Sequence, residues 1–258
     1  MHPSTFTLPF DFIGLVSGGG TTVTEIIKAC YNGGPLDGLI KPVAVIASKA
    51  GLGAEEKVKK AGLDPKNYHV VPRTSFPKNS ADNGEAFGKA LIAVFNLYNP
   101  RFVGQHGFLP KTPSNFIAHV NGNGSTIYNQ HPVPLRKGQL DFGGEHMRGK
   151  TAVCATLAFA RLTNRNFNAE VTAHLVTDEV DGGEVIGRTA FTILPGDDVE
   201  SLQTRGLVYE HALQIEVLRQ LASDTLKPLP EPKPLVRPGE EYHWATARAW
   251  AHMMYPKG

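Results

Sequence analysis

The sequence predicts an α/β fold, a mostly parallel twisted sheet with helices on both faces. Two observations carry that expectation. Short apolar runs of strand length end in glycine or polar turns and give way to helical spacing, and this strand-turn-helix unit recurs along the chain. A third observation sets the scale: 258 residues with 41% hydrophobic content can bury a large core.

The first unit begins with Phe12-Ile-Gly-Leu-Val-Ser17, breaks at Gly18-Gly19-Gly20-Thr21-Thr22, and continues as a helix through Val23, Ile26, Ile27 and Cys30. The second pairs a buried strand, Pro42 to Ser48, with a charged-faced helix from Ala54 to Ala61 that Gly62 closes. Tyr68 to Pro72 reads as a short strand, Asn83 to Tyr98 as a helix with Phe87, Leu91, Val94 and Phe95 on its apolar face, and Arg101 to Gln105 as the next strand. The second half predicts a strand at Ser125 to Tyr128, a helix within Lys150 to Leu162, strands at Glu170 to Val176 and Glu184 to Thr192, and a long helix at Val199 to Leu221. Lys227 to Pro234 is proline-dense and reads as extended chain. Glu241 to Met254 carries Trp244, Ala247, Trp250 and Met254 at amphipathic spacing and reads as a short helix packed on the domain. We expect a domain over residues 1–222 and a Pro-rich extension over residues 223–258 with that helix.

Composition excludes several classes. A net charge of +2 and a pI near 8.5, with no long Lys/Arg run, imply no nucleic-acid partner. No stretch of eighteen apolar residues and no signal-like N-terminus occur, so no membrane partner is expected. The two cysteines, Cys30 and Cys154, lie in separate apolar helical patterns and read as buried reduced thiols, which fits a cytoplasmic protein. Ten histidines form no His-x-x-x-His or His-Glu-x-x-His pair, and no Gly-x-Ser-x-Gly turn is present, so zinc and serine hydrolysis lack support.

In open α/β sheets ligands bind beyond the carboxyl ends of the strands, and the chemistry-bearing segments fall there. Asn129, His131 and Asp181 supply an amide, an imidazole and a carboxylate. An amide and a protonated imidazole stabilise the oxyanion of an attacked carbonyl, while a carboxylate orients the imidazole or takes a proton. Acyl transfer is the first expectation. Gly18 to Thr22 can cradle a phosphate at a helix N-terminus; a glycine turn capped by Thr explains it equally well. It is neither a G-x-G-x-x-G fingerprint nor a P-loop. His106-Gly-Phe-Leu-Pro110 offers backbone groups and an apolar wall for a flat heteroaromatic ring, or is a plain loop. Thr177 to Gly183 concentrates three carboxylates without the spacing of a calcium loop.

Taken together, these segments resemble the glycinamide ribonucleotide formyltransferase family. Val16-Ser-Gly-Gly-Gly-Thr-Thr22 is similar to that family's phosphate loop, Ser48 to Gly53 to its second-strand exit and His106 to Pro110 to its folate-contacting loop. Tyr128-Asn-Gln-His-Pro132 is similar to its Asn-x-His-Pro, and Val176 to Gly183 to its most characteristic segment; Ile193 to Asp198 and Arg205 to His211 continue the likeness over residues 11–221. The resemblance implies a formyltransferase-like (Rossmann-like) fold and formyl transfer from 10-formyltetrahydrofolate to the primary amine of glycinamide ribonucleotide, in de novo purine biosynthesis, with no metal. It implies Asn129, His131 and Asp181 as the catalytic trio. Gly20, Thr21, Thr22 and Glu210 would bind the ribonucleotide, and Leu109, Pro110, Lys111, Thr112, Thr177 and Asp178 the folate. The partners implied are these small molecules, the protein being a monomer or homodimer.

The chain departs from the family where Ser-Leu-Leu-Pro usually follows Asn-x-His-Pro: here the run is Val133-Pro-Leu-Arg-Lys-Gly-Gln-Leu-Asp-Phe-Gly-Gly144. The segment between His131 and His174 is longer, with an extra apolar helix around Ala152 to Leu162. Thr22 stands where Asn is common, and the family's folate-tail arginine falls near Gly84. These departures keep three alternatives in play: a formyltransferase for another amine such as an amino-sugar nucleotide, a folate deformylase, and a non-catalytic folate- or nucleotide-binding module.

Overall fold

A computed structural model of the chain describes residues 6–76, 84–165 and 167–258. Its strands are β1 (Phe10–Val16), β2 (Ile40–Ala47), β3 (Tyr68–Val70), β4 (Phe102–Gln105), β5 (Thr126–His131), β6 (Asn168–Leu175) and β7 (Val185–Thr192). The helices are α1 (Thr21–Ala29), α2 (Ala54–Lys60), α3 (Glu85–Tyr98), α4 (Ser114–Gly122), α5 (Gly149–Thr163), α6 (Val199–Ala222) and α7 (Glu241–Met254). Single 3-10 turns at Pro65–Asn67 and Arg73–Ser75 flank β3. The sheet order is β3-β2-β1-β4-β5-β6-β7, parallel at β3/β2, β2/β1, β1/β4 and β4/β5, and antiparallel at β6/β7.

This is the α/β architecture with a mostly parallel sheet that the alternating apolar runs predict. The expected start of the third helix at Asn83 lies outside the described residues. One helix, α4, was not expected. Its buried Phe116, Ile117 and Val120 have helical spacing, but Asn115, His119, Asn121 and Gly122 are weak helix formers, and packing rather than propensity holds it.

The chain divides into two compact units. The first comprises residues 1–129, 175–178 and 214–226. Period-2 alternation places Ile13, Leu15, Ala44, Ile46 and Val103 in one cluster with Phe87, Leu91 and Phe95 of α3 and Phe116 of α4. On the opposite side of β1, Gly14 admits α1: a Cβ there would lie 2.4 Å from Val23 Cγ2. The second unit comprises residues 130–174, 179–213 and 227–258. In it α5 and α7 pack along each other, with Ala247 and Ala251 fully buried on α7. Helix α6 contributes its first part to this unit and its last turns to the other.

Candidate active site

β5 ends in Asn129-Gln130-His131, so the amide and the imidazole, two residues apart on one strand, project to the same face. His131 is buried, at 4% exposure. Its Nδ1 lies 3.7 Å from Oδ2 of Asp181, and its Nε2 lies 3.4 Å from the carbonyl oxygen of Phe142. Asp181 is reached by the loop after β6, where it adopts φ 56°, a left-handed conformation that Asp tolerates better than most residues. The sequence pairing of His131 with Asp181 across fifty positions is thus a spatial pairing.

A second imidazole joins them. His174, buried in β6, places Nε2 3.5 Å from Oδ1 of Asp181. The N–H of Gly144 donates to Oδ2 of Asp181 at 3.0 Å. Burial alone pushes the Asp181 carboxyl up, yet His131, His174 and the Gly144 N–H outweigh it and hold the group at about 2. The carboxylate is therefore ionised throughout the neutral range and faces one imidazole on each oxygen. Sequence reasoning did not select His174; the signal was its placement seven residues before Asp181 on a strand leading into the same loop.

Also in the second unit, Glu210 of α6 is buried and accepts a hydrogen bond from Gln130 Nε2 at 2.7 Å. It borders a small pocket walled by Pro132, Val133, Phe191 and Leu207. A carboxylate at the rim of an apolar pocket, hydrogen-bonded to the strand that carries the imidazole, suits recognition of hydroxyl or amine donors.

In the first unit, β1 runs into Gly18 and Gly19, both exposed, and Gly20, whose φ of 61° closes the turn before α1. The helix begins at Thr21, so Thr21 and Thr22 are its first two residues and Gly20 is the cap. The reading of a Thr cap is thereby corrected: the Gly20 carbonyl accepts from the N–H of Thr24 at 3.0 Å and from its hydroxyl at 2.7 Å, and no side chain caps the helix end. Helix-terminal N–H groups and the positive dipole end face an exposed glycine turn, the local geometry that favours an anion. Lys57 of α2 adds a cation, donating to the Gly19 carbonyl at 3.2 Å; it was not selected from the sequence.

The loop after β4 is tied to this turn. Ser17 N–H donates to the Gly107 carbonyl at 3.1 Å, and Leu109 N–H donates to Ser17 Oγ at 2.9 Å. Leu109 is half exposed and Lys111 exposed, whereas Thr112 is buried and accepts from Gln105 Nε2 at 2.5 Å. Phe108 stacks on Phe87, with centroids 6.4 Å apart and rings 9° from parallel. Asn129 stands in register with Gln105, and Thr177 and Asp178 are exposed just beyond Val176, whose N–H pairs with the Ile127 carbonyl. Among the described residues no group of His, Cys, Asp and Glu is arranged to hold a metal, and no helix is long and apolar enough to cross a membrane.

Strand order places the protein among the α/β proteins with an open, mostly parallel sheet, a class in which ligands bind at the carboxyl edge. The chain belongs to the formyl transferase family, whose sequence profile matches residues 11–218. It is 28% identical over 217 residues to phosphoribosylglycinamide formyltransferase of Escherichia coli (strain K12), covering 84% of this chain and 89% of that protein. Identity to the Dictyostelium discoideum protein of the same name is 26% over 221 residues, covering 84% of this chain and 100% of the other. Among solved structures, glycinamide ribonucleotide transformylase 1 from Symbiobacterium toebii superposes with a TM-score of 0.67 at 26% identity, over 83% of this chain and 88% of that one. Phosphoribosylglycinamide formyltransferase from Brucella melitensis does so with a TM-score of 0.65 at 26% identity, over 85% and 99% respectively.

Proposed function

We propose that this protein transfers the formyl group of 10-formyltetrahydrofolate to the primary amine of glycinamide ribonucleotide. The observation that carries the reading is the buried His131–Asp181–His174 cluster with its ionised carboxylate, in a family member whose relatives bear the name of that activity.

In the reaction the amine attacks the formyl carbon, the carbonyl oxygen gathers negative charge, and the bond to folate N10 breaks as the amine's proton passes to N10. Asn129 donates an amide N–H to that oxygen, and His131 donates an imidazole N–H to it. Asp181, with Oδ2 3.7 Å from its Nδ1, orients His131 toward the oxyanion. Gly20, Thr21 and Thr22, with Lys57, hold the ribonucleotide phosphate at the α1 N-terminus, and Glu210 receives its polar groups. Leu109, Pro110, Lys111, Thr112, Thr177 and Asp178 receive the pterin, with Thr112 acting through the loop it pins rather than by contact. The same reading takes residues 1–222 as the formyltransferase domain and 223–258 as an extension of it, supported by the family match ending at residue 218. It also takes the protein as cytoplasmic, a monomer or homodimer, working without a metal.

The test is purified protein with 10-formyltetrahydrofolate and glycinamide ribonucleotide, followed by folate absorbance, with water-only and amino-sugar-nucleotide controls. Acceptor-dependent turnover with glycinamide ribonucleotide is expected. Turnover only with another amine, turnover with water alone, or none would reject the assignment in favour of a different acceptor, a deformylase or a binding module.

A further inference from the structure

The C-terminal helix α7 lies beyond the family match, which ends at residue 218, and it grips the 141–144 loop, whose backbone touches both His131 and Asp181. Trp244 Nε1 donates to the Asp141 carbonyl at 2.6 Å. Arg248, one helical turn on, donates through Nη1 to the same carbonyl at 3.2 Å and to the Gly143 carbonyl at 3.0 Å. Between those two carbonyls stands Phe142, whose own carbonyl faces His131 Nε2, and after Gly143 comes Gly144, whose N–H donates to Asp181. We propose that Trp244 and Arg248 are positioning residues of the acyl-transfer site, fixing the 141–144 backbone so that it holds the His131–Asp181 pair in its working geometry.

The loop is held from several sides. Asp141 folds it back through Oδ2, which accepts the Arg136 N–H at 2.7 Å, and Oδ1, which accepts the Gly143 N–H at 2.9 Å. The Phe142 ring is fully buried, 5.5 Å from Phe159 and 6.4 Å from Phe167. With that side chain locked, the remaining freedom is rotation of the neighbouring peptide planes, and α7 holds two of them: the 141–142 plane through the Asp141 carbonyl, and through the Gly143 carbonyl the 143–144 plane, which carries the Gly144 N–H that donates to Asp181. A Cβ at Gly143 would stand 2.4 Å from Leu135 Cδ2 and 3.3 Å from Asp181 Cβ, so the loop already lies against the carboxylate's residue. The Arg248 guanidinium sits 5.0 Å from the Trp244 ring, which orients both donors together.

The helix is patterned for two tasks. Ala247 and Ala251 form a small-residue stripe against α5, which seats the helix and demands no hydrogen-bonding side chain. Trp244 and Arg248 form the adjacent stripe, and their donors go to backbone carbonyls of the 141–144 loop. Seating alone would be served by any apolar residue at either position. In this chain the run after Asn-x-His-Pro differs from the family pattern, and α7 supplies the support that the altered segment needs.

The claim rests on His131 and Asp181 being the acyl-transfer pair, and its test has a readout free of substrate. Trp244→Phe, which keeps the ring and removes the donor, Arg248→Met, and the pair together are compared with Trp250→Ala, which alters a half-exposed residue of the same helix. The Asp181 carboxyl is titrated by 13Cγ NMR in each. The groups facing it are His131 from β5, His174 from β6 and the Gly144 N–H from the loop. Loss of the loop's N–H should move the Asp181 midpoint up from about 2 in the double variant, with Trp250→Ala matching the parent. In the formyl-transfer assay kcat should fall by about tenfold or more while KM for either substrate stays within about twofold. An Asp181 midpoint and kcat equal to the parent's in the folded double variant would overturn the proposal, as would equal changes in Trp250→Ala. If the double variant does not fold, Trp244→Phe decides by the same two readouts. Should the parent protein fail to formylate glycinamide ribonucleotide while the midpoint still responds to Trp244→Phe, the positioning role stands and the assigned reaction fails.

Discussion

Asp181 sits with one oxygen toward each of two imidazoles, and that placement has consequences for both catalysis and stability. Replacing His131 by Ala removes the imidazole that the proposed mechanism sets beside the forming oxyanion. Transfer should fall by about 10² to 10⁴ in kcat, the range for a positioned acid or base, while ribonucleotide binding measured by calorimetry is retained. Unaltered turnover would remove His131 from the mechanism. Asp181 carries the pH prediction. Its folded-state value of about 2 lies below the ordinary 3.8, so the unfolded chain takes up the proton first as pH falls. The group therefore contributes stability above about pH 4 and loses it between about pH 4 and 2, in an amount of about 2 kcal/mol. Urea unfolding at pH 6 and pH 3 should show a larger loss for the parent protein than for Asp181→Asn, whose side chain cannot titrate; parallel losses would show that the carboxyl is not held low. His131 and Asp181 were legible as a pair of reactive types at strand ends, whereas His174 was not, because a buried strand histidine looks the same in sequence whether or not it meets a carboxylate.

Single elements set the geometry on which these side chains depend. At the start of α1, Gly20 combines φ 61° with a close approach: a Cβ there would fall 2.5 Å from the Ala54 Cβ and 3.1 Å from the Ala54 backbone. Gly20→Ala should cost about 1–2 kcal/mol for the left-handed backbone and roughly as much again for the clash with α2. It should raise KM for the ribonucleotide more than for folate, and a purely folate-side effect would refute the phosphate-loop assignment. At the start of α6, Asp198 Oδ1 accepts the Ser201 N–H at 2.7 Å while the Asp198 N–H reaches Ser201 Oγ at 3.0 Å, a reciprocal cap. Asp198→Ala should lower thermal stability by about 1 kcal/mol with little effect on kcat, as Glu210 lies three turns further along the helix. Element identities were readable wherever apolar spacing was strong. Helix α4 escaped because its polar positions favour turns, and only the burial of Phe116 and Val120 against its neighbours makes it helical.

For the molecule as a whole, the segment that departs from the family pattern is held by charge as well as by α7. Arg136 and Glu170, 7% and 9% exposed, form a two-point pair at 2.7 and 2.9 Å, and Arg136 also donates to the Lys233 carbonyl in the Pro-rich stretch. Glu170→Gln leaves a buried guanidinium without its counter-charge and should cost about 3–5 kcal/mol in chemical unfolding. Replacing both residues by Met should cost markedly less, and an equal cost would mean that packing rather than the charge pair dominates. By itself the sequence determined the order and type of most elements, the parallel sheet and the strand-end positions of Asn129, His131 and Asp181, because periodicity and turn chemistry are local. Only the tertiary structure decided that His174 shares the carboxylate, that Lys57 reaches the glycine turn, that Glu210 pairs with Gln130, and that α7 grips the 141–144 loop. Those are contacts between residues as many as 107 positions apart, and no local pattern encodes which distant backbone carbonyl a tryptophan or an arginine will meet.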